Sequence, residues 1–297
     1  MTSRSGRTAG LAVVGLLAVV AAWELYKLVG PQRGGAVFGW GILPRANDTA
    51  MPHVWDMLSR YGRPDRRGSD TAIWQVVLGG AWFSFRLALF GFVIGAAVGI
   101  GLAVLMARFR VFERGLLPYL VVSQTVPLIA LAPLVMSWGG RLQIGDWVWP
   151  RWASASVLGA FLAFFPVAVG TLRGLKSAPA ASVELMDSYA ASWRETLFKL
   201  RFPAAVPQIV PALKLAATAS VVGVVVAEIS TGLRGGIGRL IIEYAREATS
   251  EPAKVSTAVM GADVLGLAMA GLVSLLDRTL MRGRPPTEPE VVIGTVT

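Results

Sequence analysis

Long apolar runs separated by polar stretches occupy most of this chain. The runs lie at residues 9–29, 85–107, 116–138, 153–171, 209–229 and 255–276. Each is close to the roughly 20 residues that a helix needs to cross the hydrocarbon core of a bilayer. The pattern therefore predicts an all-α, polytopic transmembrane helix bundle of about six spans.

The stretches between the runs give the predicted organisation. Residues 30–80 are polar and rich in Gly, Pro and Arg, and a short amphipathic helix is predicted within them over residues 51–61. The segments in chain order are an N-terminus (1–8), a first span (9–29), an external loop (30–80), a transmembrane domain (81–277) with a polar loop (172–207), and a tail (278–297).

The first apolar run has two interpretations. Val20-Ala21-Ala22 resembles a signal-peptide cleavage site, so a secretory leader is the alternative to a span. The apolar character continues to Val29 and is interrupted by Glu24 and Lys27. This continuation favours a retained span.

The polar stretch at residues 184–203 reads ELMDSYAASWRETLFKLRFP and lies between two predicted spans. A simple connection has no need of helix-forming residues. This one contains a helical pattern, a break near residues 190–192, a second helical pattern over residues 193–200 and a proline expected to end it. The arrangement predicts an element that docks a partner outside the membrane.

Composition supports a membrane protein and excludes other classes. Apolar residues make up 54% of the chain and charged residues 15%, whereas soluble domains have about 25% charged residues. The net charge of +10 is not accompanied by a DNA-reading helix or an RNA-binding aromatic signature, so no nucleic-acid partner is predicted. Cysteine is absent, which excludes disulfides and thiolate chemistry.

Basic residues near the span ends predict the orientation, because short basic loops face the cytoplasm. With six spans, both termini, the loop 108–115 and residues 184–203 lie on one side, taken as cytoplasmic. The long loop 30–80 is also arginine-rich, but long loops translocate largely regardless of charge. We therefore expect a multi-pass protein of the cell inner membrane, in contact with lipid. The basic side chains on the cytoplasmic side are Arg108, Arg110, Arg114, Arg278, Arg282 and Arg284.

Two strips of small residues predict close helix packing, since residues four apart share a helix face. The second span carries Gly91, Gly95 and Gly99, and the fifth carries Ala219, Gly223 and Ala227.

The third span contains Pro127 and Pro133, with Gln124 and Thr125 beside the first proline. Proline removes a backbone donor and kinks a helix. Either this segment lines a translocation path, or its polar groups only satisfy the carbonyls that the kink frees.

The fifth and sixth predicted spans contain three charged residues. Asp263 is deep in the sixth span, and a buried carboxylate there is expected to face the bundle interior or a wet cavity. Glu228 lies near the outer end of the fifth span and either reaches the interface or has a role in the path. Lys214, near the inner end, is expected to snorkel to the surface.

Catalytic and metal-binding motifs are missing from the sequence. His53 is the one histidine, and His, Asp and Glu show no metal-ligand spacing. No phosphate-binding loop G-x-x-x-x-G-K-[ST] or nucleophile elbow G-x-S-x-G occurs. The run Gly235-Gly236-Ile237-Gly238 does not follow a βαβ pattern, which argues against a dinucleotide site. The chain is therefore not expected to be an enzyme, nor to bind a cofactor.

The 184–203 stretch resembles a signature of bacterial ABC importer permeases of the binding-protein-dependent type. That signature reads E-A-A, three residues, G, nine residues, then I-x-L-P. Here Glu184-Leu185-Met186 takes the first position, Ala190 the glycine position, and Leu200-Arg201-Phe202-Pro203 the last. Residues 124–133, 203–207, 213–216 and 224–228 are similar to the nitrate/sulfonate/taurine branch, and the likeness covers roughly residues 84–277. Because alanine disfavours the positive φ that glycine adopts, the turn needs either a negative-φ geometry or a strained alanine.

The resemblance implies a permease subunit that performs no chemistry. It implies cytoplasmic ABC ATPase subunits that bind ATP and Mg, a second permease copy or paralogue, and an external solute-binding protein. It also implies a role for Glu228 at the path or dimer interface, so the predicted path residues are Gln124, Thr125, Pro127, Glu228 and Asp263. The predicted ATPase-coupling residues are Glu184, Leu185, Met186, Asp187, Ser188, Tyr189, Ala190, Ala191, Ser192, Leu200 and Pro203.

The alternative function is an ATP-independent secondary transporter or channel. Ion coupling in such proteins uses a chain of intramembrane charges, and only Asp263 is clearly deep in a span. A membrane enzyme is a third class, for which the sequence offers no acid, base, nucleophile or metal constellation.

Overall fold

The computed structural model describes residues 2–37, 40–66 and 68–280, and its architecture is dominated by helices. The α-helices in chain order are α1 (Thr2–Val29), α2 (Val54–Arg60), α3 (Ile73–Arg108), α4 (Arg110–Ser123), α5 (Leu128–Gly139), α6 (Arg151–Lys176), α7 (Ala180–Ser188), α8 (Trp193–Thr196), α9 (Phe202–Thr231), α10 (Ile237–Arg246) and α11 (Pro252–Leu280).

Two small antiparallel hairpins lie in the connections. β1 (Gly35–Val37) pairs with β2 (Trp40–Leu43) after α1. β3 (Gln143–Ile144) pairs with β4 (Trp147–Val148) between α5 and α6. Both hairpins lie outside the helical bundle.

The centre of the bundle is formed by α3, α6 and α9, which lie at backbone contact distance. A Cβ atom added at Gly91, Gly95 or Gly99 of α3 would lie 2.6 to 2.7 Å from a carbonyl oxygen of α6. A Cβ added at Gly223 of α9 would lie 2.6 Å from the carbonyl oxygen of Leu158. The small residues are therefore needed for this packing, because no side chain larger than hydrogen fits.

The predicted third span is not a continuous kinked helix. α4 and α5 are separated by a short break and bent by 101° relative to each other. Pro127 is the N-cap of α5, it cannot donate a backbone hydrogen bond, and it disfavours helical geometry at Val126. One proline at this position therefore breaks the helix, whereas Pro133 lies within α5.

The predicted number of spans is approximate. Among the described residues, four helices are long and apolar enough to cross a membrane: Ile73–Arg108, Arg151–Lys176, the continuous Trp193–Thr231 and Pro252–Asp277. The bent α4–α5 pair makes five if it counts as one span. The apolar run at residues 9–29 lies within α1, which is not one of these four helices.

Two helices start earlier than their apolar runs. α3 begins at Ile73 rather than Phe85, so the end of the predicted external loop is helical. α8 continues through a π-helical turn, Leu197–Arg201, directly into α9. The prediction that Pro203 ends a helix is wrong, because Pro203 lies in the first turn of α9, where the wider π turn accommodates a residue without an N–H.

α1 is joined to the remainder through its C-terminal end. Glu24 accepts hydrogen bonds from the backbone N–H of Val54 at 2.9 Å and lies 2.8 Å from the His53 ring nitrogen. Lys27 donates to Asp48 at 2.5 Å, and this bond lowers the pKa of the Asp48 carboxyl. Many large apolar side chains of α1 are exposed, including Leu16 and Val19. His53 therefore has a hydrogen-bond partner in Glu24 and is not an isolated surface residue.

Candidate functional site

The 184–203 segment starts with a short helix that projects from one end of the bundle. No residue of α7 is buried. Leu185 is 56% exposed and the neighbouring Tyr189 is 77% exposed. Exposed apolar and aromatic side chains on a helix outside the membrane region are typical of a surface that binds another protein.

The turn after α7 uses left-handed backbone at an alanine. Ala190 has φ 52°, the one positive value at a non-glycine residue in the described part of the chain. Its N–H donates to the carbonyl of Asp187 at 2.9 Å, and the N–H of Ala191 donates to Met186 at 3.0 Å. Of the two geometries open to the sequence, the structure has the strained alanine, at a cost of roughly 1–2 kcal/mol.

A capping box starts the second half of the segment. The Ser192 hydroxyl accepts from the N–H of Glu195 at 3.3 Å, and the Glu195 carboxylate accepts from the N–H of Ser192 at 3.0 Å. Reciprocal bonds of this kind satisfy donors at a helix start. The chain therefore re-enters a helix directly after the left-handed turn.

The second half is anchored to the bundle. Leu197, Leu175 and Ala205 form a buried cluster, against which Trp193 packs. The guanidinium of Arg108, at the end of α3, lies 4.9 Å from the ring centroid of Trp193. An exposed helix is thus connected through a short turn to a helix that is continuous with α9.

Two ion pairs connect other helix ends at the same end of the bundle. Lys176 of α6 pairs with Glu113 of α4. Lys214 of α9 donates to Asp277 of α11 at 2.8 Å. The Lys214 side chain is 35% exposed, so this ion pair is compatible with the predicted snorkelling to the surface.

The five predicted path residues are not brought together. Gln124, Thr125 and Pro127 lie in the break between α4 and α5, and Gln124 lines an open groove whose other walls are α6 and α9. Thr125 and Pro127 are exposed. Glu228 and Asp263 lie elsewhere, so a path role for the set stays a prediction.

Glu228 does not reach the interface, because its side chain is fully buried at 0% exposure. Its carboxylate accepts from the Ser84 hydroxyl at 2.7 Å and from the N–H of Gly238 at 2.8 Å. Ser84 in turn accepts from the N–H of Ile237 at 2.9 Å. The carboxylate thereby holds the start of α10 against α3 and α9.

The glycine run before α10 makes room for this carboxylate. A Cβ atom at Gly236 would lie 2.1 Å from the carboxyl carbon of Glu228. A Cβ at Gly238 would lie 2.6 Å from the carbonyl oxygen of Val225. The run therefore accommodates a side chain of the same protein. Ser84 was missed from the sequence, where nothing distinguishes it from other small polar residues.

Asp263 is exposed on α11, so it does not face the interior of this bundle, and its position in a wet cavity stays a prediction. The helix repeat turns this residue away from the buried face, which carries Leu265 and Met269.

Tyr61 donates to the carbonyl of Thr257 at 2.7 Å. Burial, together with the charge of Asp263, raises the pKa of Tyr61.

A polar network at the opposite end ties the 51–72 connection to α10 and α11. Lys254, 2% exposed, donates to Glu247 at 2.6 Å and to the carbonyl of Asp65 at 2.7 Å. Tyr244 donates to the Asp65 carboxylate at 2.7 Å, and burial with this bond raises the Tyr244 pKa. Arg60 pairs with Glu251. Every charge that the network buries has a partner.

Metal ligands are not clustered. No group of three or more His, Asp or Glu side chains in residues 2–37, 40–66 and 68–280 could hold a metal ion.

Comparison with known proteins identifies the family. Residues 95–282 match the binding-protein-dependent transport system inner membrane component family, a range that includes the 184–203 segment, Glu228 and α10. The chain belongs to this family.

Relatives of the chain within the family are ABC importer permeases. The chain is 31% identical over 216 residues to a putative aliphatic sulfonates transport permease of Bacillus subtilis, covering 71% of this chain and 74% of the relative. It is 34% identical over 148 residues to a formylaminopyrimidine transport permease of Halalkalibacterium halodurans, covering 50% and 55%. It is 28% identical over 209 residues to the taurine transport system permease of Escherichia coli, covering 70% and 66%.

Solved structures support the same fold. An amino acid ABC transporter crystallised with histidines aligns with a TM-score of 0.55 at 18% identity, over 69% of this chain and 94% of that one. The inward-facing MetNI methionine ABC transporter aligns with a TM-score of 0.55 at 19% identity, over 71% and 99%. The predicted all-α permease fold is confirmed, and the chain is a membrane-embedded permease subunit of an ABC importer rather than an ATP-independent transporter or channel.

Proposed function

We propose that this permease forms half of a solute pathway and is driven by a cytoplasmic ATPase that binds the 184–203 segment. The main support is that the exposed helix α7 is directly followed by a helical segment that packs against the bundle. α7 offers Leu185 and Tyr189 to a partner, while Trp193 and Leu197 are packed against α3 and α6. Motion of a partner cleft that holds α7 would move α9.

The permease works with partner proteins on both sides of the membrane. ATP and Mg bind to the ATPase subunits and not to this chain. A second permease, either another copy or a paralogue, completes the pathway, and an external solute-binding protein delivers the solute. The 184–203 end faces the cytoplasm of a cell with this protein in its inner membrane, and the 30–72, 140–150 and 232–251 connections face outward.

Two exposed leucines provide a matched test of the docking surface. Leu185→Asp changes a side chain that is 56% exposed on α7, and Leu58→Asp changes one that is 54% exposed on α2 at the opposite end. Each variant is co-purified with the ATPase subunit, and solute-stimulated ATP hydrolysis is measured in the reconstituted complex. We expect Leu185→Asp to lose at least about tenfold in association, since a charge would have to be desolvated in the contact. Equal association of the two variants would exclude α7 as the docking element.

A further inference from the structure

An open cavity lies at the end of the bundle opposite the 184–203 segment. Its volume is about 620 Å³, within the range of roughly 300–1,000 Å³ that is usual for small-ligand sites. Its polar wall is formed by Ser137, Arg141, Trp149, Arg151 and Thr231. These residues come from the end of α5, the segments on either side of the β3–β4 hairpin, the start of α6 and the end of α9.

The cavity carries two uncompensated positive charges. Arg141 and Arg151 are both exposed. In the part of the chain that the structure describes, no carboxylate oxygen lies within the 4.0 Å ion-pair distance of either guanidinium group. Guanidinium groups present a planar fork of donors that matches carboxylate, sulfonate and phosphate oxygens. Two of them in one wall favour an oxyanion.

The wall between these arginines is held in place. The indole N–H of Trp149 donates to the Ser154 hydroxyl at 3.0 Å, and its backbone N–H donates to Leu142 at 3.0 Å. A Cβ at Gly139 would lie 2.7 Å from the Trp149 ring. A wall fixed before the ligand arrives reduces the entropy lost on binding.

The cavity and the groove that Gln124 lines both use residues of α6. Arg151 and Leu162 are 11 residues apart on α6, close to three helical turns, so they lie on the same face. Leu162 and Arg173 both line the groove. One face of α6 therefore carries an arginine at each end with apolar side chains between them, an arrangement that attracts an anion and binds it only weakly midway.

We propose that the cavity between Arg141 and Arg151 binds the oxyanion group of a small organic acid. Its further use as the outer entrance of the solute path rests on the proposed function. The same chemistry could be supplied by the headgroup of an anionic phospholipid, so the experiment separates the two sources.

Binding is measured by calorimetry on the full-length permease in phosphatidylcholine nanodiscs, without ATPase or binding protein. The probe is methanesulfonate, and its uncharged isostere dimethyl sulfone is the ligand control. We expect the variant with Arg141→Gln and Arg151→Gln to bind methanesulfonate at least about tenfold more weakly, because each charged hydrogen bond contributes strongly. Arg110→Gln, which changes an exposed arginine at the other end, should bind as the unmodified protein does.

The outcomes separate binding from transport. Equal binding by the double variant and the unmodified protein, or equal binding of dimethyl sulfone, would overturn the site. If phosphatidylglycerol in the nanodisc competes with methanesulfonate, the oxyanion site stands but a lipid headgroup occupies it, which overturns the entrance role. Failure of the permease to associate with an ATPase would remove the proposed function and leave these binding results unchanged.

Discussion

Glu228 on α9 and Ser84 on α3 are joined by a hydrogen bond of 2.7 Å at a place where neither side chain is exposed. The two residues are 144 positions apart in the chain. A buried carboxylate is stable only when its lone pairs are satisfied, and here Ser84 and the start of α10 satisfy them. The Glu228 carboxylate therefore ties the start of α10 to α3 and α9.

Removal of the Ser84 hydroxyl should destabilise the permease. Ser84→Ala leaves Glu228 with one donor fewer and also removes the acceptor for the Ile237 N–H, so we expect a loss of about 1.5–3 kcal/mol in the free energy of unfolding. The measurement is reversible unfolding in detergent. Ser59→Ala, which removes an exposed hydroxyl, should change stability by less than about 0.5 kcal/mol. Equal effects of the two changes would contradict the proposed importance of the buried bond.

Gly236 should tolerate no side chain. Gly236→Ala places a Cβ atom 2.1 Å from the Glu228 carboxyl carbon, and the forced shift is expected to cost at least about 1–3 kcal/mol. Gly101→Ala on α3 meets no atom within 4 Å and should stabilise the helix by about 0.5–1 kcal/mol. Thermal unfolding of both variants tests this prediction. If the two substitutions shift the unfolding temperature in the same direction, the close contact between Gly236 and the Glu228 carboxylate does not limit the side chain at position 236.

Glycine at position 190 should relieve strain. Because Ala190 has φ 52°, Ala190→Gly is expected to stabilise the turn by about 1 kcal/mol. Ala181→Gly, in the first turn of the adjacent α7, should instead destabilise by about 0.5–1 kcal/mol. Hydrogen exchange of the amides in residues 184–196 reports both effects. Faster exchange in Ala190→Gly than in the unmodified protein would show that the alanine is unstrained.

The 184–203 segment and the 30–72 connection should lie on opposite sides of the membrane. The sequence contains no cysteine, so single cysteines can be introduced without background. Ser188→Cys and Thr49→Cys both change exposed positions. An impermeant maleimide on intact cells should label only Thr49→Cys, and both after permeabilisation. Labelling of Ser188→Cys from outside would reverse the orientation.

Much of this architecture can be predicted from the sequence, because it depends on neighbouring residues. Apolar runs locate the bundle helices, since lipid accepts only segments that satisfy their own backbone hydrogen bonds. Glycines four apart indicate that α3 has a face for close packing. The break near residue 190 follows from local helix signals, as does the restart at Ser192. These features require no knowledge of which helix packs on which.

Features that depend on contacts between residues distant in the chain are determined only by the tertiary structure. Glu228 could reach the interface or be buried, and its pairing with Ser84 determines the outcome. Asp263 could face either side of α11, and packing of the opposite face turns it outward. Pro127 predicts a disruption, but the 101° bend is a property of the packed α4 and α5. The cavity between Arg141 and Arg151 exists because the ends of three helices converge there, and the relative positions of helices are set by packing, which sequence periodicity does not specify.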